Sequence, residues 1–204
     1  MIFFMKNYFC TIPQQPEKSL KKTKYENPCG NPVIECTEEV SFPILVLIKN
    51  TVSKGEKIRI TTVKQEHVNC DINEKTFMAE LEALKKEVGF EYELETILTP
   101  FSETIDDHLG LFGKLIDTIR DDDALYADIT FGTKPIPMVF LMMLTYAYRF
   151  RNTFIENIIY GQFNHDTNVS SLYDVTALFY MNSTINTMSD SSDPKKFIKA
   201  VLDL

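Results

Sequence analysis

Ala124-Leu125-Tyr126-Ala127-Asp128-Ile129-Thr130-Phe131-Gly132-Thr133-Lys134-Pro135 leads into Ile136-Pro137-Met138 and an apolar run that closes on Arg149-Phe150-Arg151. Residues 124–130 are short and mostly apolar, the pattern of a buried strand. Residues 136–148 are continuously apolar and end on arginines. That suits a buried helix with cations at its C-terminus, where the carbonyl ends of the peptide dipoles gather. Between them, residues 131–135 make a polar turn. A turn from strand to helix exposes the unpaired N–H groups of the first helical turn, and anions bind there. Lys134 adds a mobile positive charge at the same place. Pro135 pre-sets the first helical φ and gives up only a donor that would have no partner within the helix. The arrangement suits a phosphate group with a hydroxyl or base beside it. A turn with Gly and Thr also serves as a plain connection in any strand–helix unit, so the turn alone leaves both readings open. Its spacing is neither the Gly-x4-Gly-Lys-Ser/Thr of a P-loop nor the Gly-x-Gly-x-x-Gly of a dinucleotide-binding turn.

Composition bounds the setting of this turn. A chain of 204 residues suffices for one large domain, or one domain with an appendage, around a substantial core. With 44% hydrophobic and 25% charged residues it has a soluble globular composition. The formal net charge of -8 disfavours a protein that coats duplex nucleic acid. It still allows a small anion in one local basic pocket. Cys10, Cys29, Cys36 and Cys70 show no Cys-x-x-Cys pair, and His67, His108 and His165 are scattered without metal-ligand spacing. Reduced thiols in a cytoplasmic protein are expected, with no metal and no cofactor. Asp121-Asp122-Asp123 reads as a solvated loop rather than a hard-cation site. The apolar run 136–148 falls short of the about 20 residues that span a bilayer, so no membrane partner is expected. Residues 1–9 lack the long apolar region and cleavage site of a signal peptide.

Outward from the central stretch, strands and helices alternate. Residues 2–9 predict a first, central strand, followed by a loop over 10–16 with two prolines. Lys18, Lys21, Lys22 and Lys24 form the main basic cluster of an acidic chain, most simply a solvated face. The Pro/Gly/Asn-rich residues 27–32 continue this irregular region, with a hairpin expected between Lys22 and Glu35. Ser41 as cap and Pro43 in the first turn predict a helix to Thr51. β-branched alternation predicts a strand over 58–63. A helix over 73–88 carries Phe77, Leu81, Leu84 and Val88 on one stripe, with Asn73 as cap and Gly89 as stop. A strand over 92–98 and a helix over 104–120 follow, the helix turning Ile105, Leu109, Phe112, Leu115, Ile116 and Ile119 inward. After the central unit come a strand over 155–160, a polar loop over 161–170, a short strand over 172–175 and a helix over 176–187. Residues 189–193 read as a linker, and a last helix starts at Pro194. This is the pattern of an α/β fold, an open, mostly parallel sheet with helices on both faces and ligands at the C-terminal ends of its strands. Two polar loops fall at such ends, 10–15 and 131–135. If their strands are neighbours, one pocket has Thr11 on one wall and Thr133 with Lys134 on the other.

Three segments carry a family resemblance. They are residues 127–137 (Ala-Asp-Ile-Thr-Phe-Gly-Thr-Lys-Pro-Ile-Pro), the strand end Ile158-Ile159-Tyr160-Gly161, and Leu172-Tyr173-Asp174-Val175-Thr176. In this order, behind an N-terminal strand with a hydroxyl-bearing loop, the chain resembles the CARF domains (CRISPR-associated Rossmann fold), over roughly residues 5–186. The resemblance implies a Rossmann-like ligand-binding domain over residues 1–188. Residues 189–204 would then be a linker and C-terminal helix leading toward an effector domain not present in this chain. It implies a sensor of cyclic oligoadenylate, the second messenger of type III CRISPR antiviral defence. The ring would lie across a two-fold homodimer interface, each subunit offering its loops to half of it. By motif position Gly132, Thr133 and Lys134 would hold phosphates, with Thr130 in the same set, and Thr11 and Ile12 would line the wall from the first loop. Adenines need apolar or aromatic walls and polar edge contacts, for which Gln14, Tyr25 and Asn164 are the candidates. Cys10, near the pocket, reads as a buried apolar thiol.

The chain departs from the better-known members, which carry a second, effector domain. Arg59, Arg120, Arg149 and Arg151 have no histidine at ribonuclease-motif spacing. Three functions follow as expectations. The first is a binding module that relays ring binding to an effector. The second is a ring nuclease. There a ribose 2′-OH attacks the adjacent phosphate without metal, Lys134 stabilises the developing charge, and Thr11 or Thr133 orients the phosphate. The third is a nucleotide- or phosphosugar-binding enzyme with no CRISPR role and no need of a dimeric pocket.

Overall fold

The computed structural model describes residues 4–187, 195 and 197–199. Its strands are β1 (Lys6–Thr11), β2 (Lys57–Gln65), β3 (Glu91–Thr99), β4 (Ala124–Asp128), β5 (Phe154–Asn164) and β6 (Val169–Asp174). Its helices are α1 (Ile44–Thr51), α2 (Val68–Val88), α3 (Ile105–Asp117), α4 (Pro135–Phe150) and α5 (Thr176–Thr187). The strands form one sheet in the order β3-β2-β1-β4-β5-β6. Neighbours are parallel except β5 and β6, which pair antiparallel. The architecture is the expected one: an open, mostly parallel, Rossmann-like α/β sheet. Strand order runs outward from β1 to β3 and then restarts at β4 on the other side of β1. The crevice between the C-terminal ends of β1 and β4 is therefore the topological switch point, where such sheets bind ligands.

Alternation along the strands sorts two cores. Tyr8, Cys10 and Ile12 pack with Ile44 and Leu47 of α1 and with Cys70, Phe77 and Leu81 of α2. Phe9, Leu125, Ala127 and Ile158 pack with Leu115 of α3, Phe140 and Leu144 of α4, and Phe179 of α5. β1 and β4 are buried on both faces, which is why they read as near-continuous apolar runs. Local rules place several ends correctly. Thr104 and Asp107 form a capping box on α3. Gly89 (φ 83) ends α2 in the left-handed region, its N–H donating to Lys85 O at 2.8 Å. Pro135 is the first residue of α4.

Other expectations are corrected. β1 extends through Cys10 and Thr11, which lie on the strand and not in the loop after it. No hairpin joins Lys22 to Glu35. Two single-turn 3-10 helices, Glu17–Ser19 and Pro32–Ile34, stand there, and isolated bridges tie Thr23 to Val40 and Glu26 to Ser171. The four lysines of this segment are exposed, as expected of a solvated face. α1 starts at Ile44, and Ser41 does not cap it, because its hydroxyl donates to Glu80 at 2.7 Å. α2 starts five residues before Asn73, with the His67 ring accepting from Asn69 N at 3.1 Å as its cap. Ile105 and Leu109 of α3 are exposed, at 70% and 52%, and Leu111 faces the core instead. The Asp121–Asp123 stretch is only partly solvated: Asp123 is buried and pairs with Arg59, whose Nη1 also donates to Thr118 O at 3.0 Å. Residues 161–170 are no loop. β5 runs on to Asn164 and returns as β6. Past the end of β4 this hairpin has polar residues on both faces, which hides its alternation. The expected linker over 189–193 lies outside the described residues. Of the expected last helix, Lys195 and residues 197–199 are described and are helical.

Candidate functional site

β1 and β4 are hydrogen-bonded neighbours, with Phe9 paired to Ala127. The two polar loops therefore meet at the switch point. Thr11 ends β1 and is buried. Gly132 has φ 101, a left-handed conformation that disfavours any side chain. A Cβ there would also stand 3.2 Å from Thr11 Cγ2 and 3.3 Å from Ile136 Cβ. The glycine thus lets the turn close onto Thr11. Ile136 N then donates to Thr133 O at 3.0 Å, which swings the chain into α4. Lys134 precedes the first residue of α4, is exposed, and has no ion-pair partner among the described residues. The hydroxyls of Thr11 and Thr133 and the amide nitrogen of Gln14 are buried without a hydrogen-bond partner among the described residues. A buried polar atom left unpaired costs about 1–3 kcal/mol. The Thr11 and Thr133 hydroxyls lie beside one exposed turn, and a polar ligand there would supply them with partners.

Asp128 stands under this turn. Its carboxylate accepts from Thr130 N at 2.8 Å and from Ile44 N at 3.0 Å. Burial pushes the carboxyl up to about 6, against the hydrogen bonds from Thr130 and Ile44, which favour the ionised form. Burial and then the Asp128 charge push the Cys10 thiol well up, so Cys10 is a buried thiol with little thiolate character.

The remaining predicted residues divide. Thr130 is spent within the fold, its hydroxyl accepting from Gly161 N at 2.7 Å. Ile12 donates its N–H to Val63 O at 2.8 Å, and its side chain lies in the core under α2, away from the crevice. Tyr25 is buried in the same core, and burial raises its hydroxyl pKa, so its ring face is not open to a stacked base. Gln14 lies in the loop after β1 and against α2, its carbonyl accepting from Asn69 Nδ2 at 2.9 Å. Asn164 sits at the tip of the β5–β6 hairpin, where its side chain accepts from Asp166 N at 2.9 Å and Thr167 N at 3.2 Å. The structure thus brings Thr11, Gly132, Thr133 and Lys134 together at the switch point, ties the loop that carries Gln14 to α2, and leaves Ile12, Tyr25 and Asn164 elsewhere.

The chain is similar to a CRISPR-associated protein. That protein is MJ1674 of Methanocaldococcus jannaschii, 27% identical over 84 residues. The matched stretch is 40% of this chain and spans 13% of that protein's length. No protein-family model matches the chain. No group of His, Cys, Asp or Glu side chains among the described residues is arranged to hold a metal ion. Among the described residues no helix is long and apolar enough to cross a membrane.

Two supporting residues escape the sequence reading of the site. Asn73 is fully buried inside α2, and its Nδ2 donates to Pro13 O at 2.7 Å and Gln15 O at 2.9 Å. With Asn69 on Gln14 O, it ties the loop after β1 to α2. The signal was present: Cys70, Asn73, Phe77, Leu81 and Leu84 share the buried face of α2, so Asn73 is a polar residue on an apolar stripe. Gly161 is the other. A Cβ there would stand 3.1 Å from Thr130 Oγ1 and 3.2 Å from Pro43 Cγ, so only glycine lets β5 pass this close to the turn.

Proposed function

We propose that this chain is the ligand-binding domain of a CRISPR-associated antiviral defence protein, and that it binds cyclic oligoadenylate across a two-fold homodimer. One observation carries the reading: the hydroxyls of Thr11 and Thr133, without partners among the described residues, flank Gly132, beside a Lys134 that has no ion-pair partner among them, at the switch point of the sheet. Hydroxyl donors and a mobile ammonium at the positive end of the α4 dipole are groups that hold a phosphate. The similarity to a CRISPR-associated protein supports the defence setting. An apolar face beside the turn supports the dimer. Met138, Leu141 and Met142 of α4 are exposed at 66%, 38% and 47%, with no charge among them, immediately after Lys134. A two-fold axis along that face would bring two Lys134 turns around one symmetric ring.

Incubation with cyclic tri-, tetra- and hexa-adenylate, without metal, tests this. Each ring is followed by chromatography while the thermal midpoint is recorded. A rise in midpoint with one ring, left intact, is the expected result. A rise followed by linear products makes the same site a ring nuclease, in which Lys134 stabilises the charge as the 2′-OH attacks. No rise with any ring overturns the reading.

A further inference from the structure

We infer that the β5–β6 hairpin carries the base-recognition subsite of this ligand, with Tyr160 as its stacking surface and Gln162 as its edge contact; the inference rests on the reading above. Ile159 pairs with Asp128, the last residue of β4, so Tyr160 is the first residue of β5 to stand beyond the end of that strand. Ile158 faces the core under α4 and Ile159 the core under α1 and α2. By alternation Tyr160 and Gln162 stand on the α4 face, the face that Phe9 and Thr11 share on β1. The hairpin register sets Tyr160 opposite Tyr173 and Gln162 opposite Ser171. Two tyrosines, an amide and a hydroxyl therefore share one face of the projecting arm.

Tyr160 is 40% exposed, and its side chain makes neither a hydrogen bond nor a ring contact to any described residue. Its backbone is nevertheless fixed. The next residue, Gly161, donates its N–H to Thr130 Oγ1 at 2.7 Å and lies too close to Thr130 and Pro43 to carry a side chain. The arm is thus seated on the turn that leads to Gly132. Adjacent strands lie about 5 Å apart, so Thr11 on β1, the turn after β4 and Tyr160 on β5 form a row roughly 10 Å long. A nucleotide with its phosphate at Thr133 and Lys134 would reach Tyr160 with its base. A tyrosine ring offers a rigid flat surface at low entropic cost, and a glutamine amide matches the donor and acceptor of an adenine edge. Tyr25 is buried in the core under α1 and α2, whereas Tyr160 is an exposed aromatic beside the crevice.

The test is calorimetric titration of the ring that the wild-type protein binds into Tyr160→Ala, Tyr160→Phe and Tyr160→Leu, with thermal midpoints as a control for folding. Stacking predicts that Tyr160→Ala weakens binding about 5- to 150-fold, that Tyr160→Phe restores it to within about 3-fold, and that Tyr160→Leu does not. Replacing adenine by uracil in the ring should cost the wild type more than Tyr160→Ala. Binding by Tyr160→Ala as tight as wild type overturns the subsite and leaves the phosphate site standing. Failure of the wild type to bind any ring overturns the functional reading and the subsite with it.

Discussion

The carboxylate of Asp128, at the end of β4, accepts the backbone N–H of Ile44, at the start of α1, at 3.0 Å. Its other oxygen accepts Thr130 N at 2.8 Å. One buried carboxylate thus ties the sheet, the first turn of a helix on one face and the entry to the Gly132 turn.

This gives stability a pH dependence with a definite sign. Asp128 titrates at about 6 in the folded chain and at its ordinary 3.8 when unfolded. Between these values the folded form holds the proton that the unfolded form has lost, so stability falls as pH rises through the window, by about 3 kcal/mol. Asp128→Asn removes that component. It also loses an acceptor for one of two backbone N–H groups, a cost of about 1–3 kcal/mol. Urea unfolding of both proteins from pH 4 to 7 should show their gap in stability narrowing as pH rises. A gap that does not change with pH would refute the assignment.

Lys134→Ala should leave the fold alone, since the side chain is exposed and has no ion-pair partner among the described residues; a change in stability within about 0.5 kcal/mol is expected. Ring affinity should fall about 10- to 150-fold, the range of one charge-assisted hydrogen bond, and less so at high salt. If the ring is cleaved, cleavage should be lost as well. Titration at two ionic strengths reads both effects, and unchanged affinity would remove Lys134 from the site.

Gly132→Ala places a Cβ 3.2 Å from Thr11 Cγ2 on a backbone with φ 101. Left-handed strain and crowding together should cost about 1–3 kcal/mol of stability. Ring affinity should fall with it, because the turn must move off Thr11. Gly110→Ala is the control: its added Cβ meets nothing within 4 Å, so the same substitution there should be tolerated. Equal midpoints for the two variants would contradict the close approach.

Asn73→Ala leaves the carbonyls of Pro13 and Gln15 without their donor, and should cost about 1–3 kcal/mol. Amide hydrogen exchange that speeds up over the wild type at Gln14 and Gln15 more than in β1 would show that the loss is local to the loop that carries Gln14. Exchange unchanged in that loop would mean that Asn73 does not hold it.

Much of this was legible in the residues. The alternation of helices and strands, the Pro135 start of α4 and the Gly89 stop follow from interactions within a few residues, which composition and spacing encode directly. The strand–turn–helix form of residues 124–150 was readable for the same reason. By itself the sequence determined an α/β chain with a polar, glycine-bearing turn between a buried strand and a buried helix. Only the tertiary structure decided that β1 lies beside β4, so that Thr11 meets Gly132. It alone decided that Asp128 holds Ile44, that Arg59 neutralises Asp123, and that β5 projects as a hairpin with Tyr160 beside the crevice. These relationships join residues far apart in the chain, where local periodicity carries no information. They are set by which apolar faces pack together and by the need of every buried polar group for a partner.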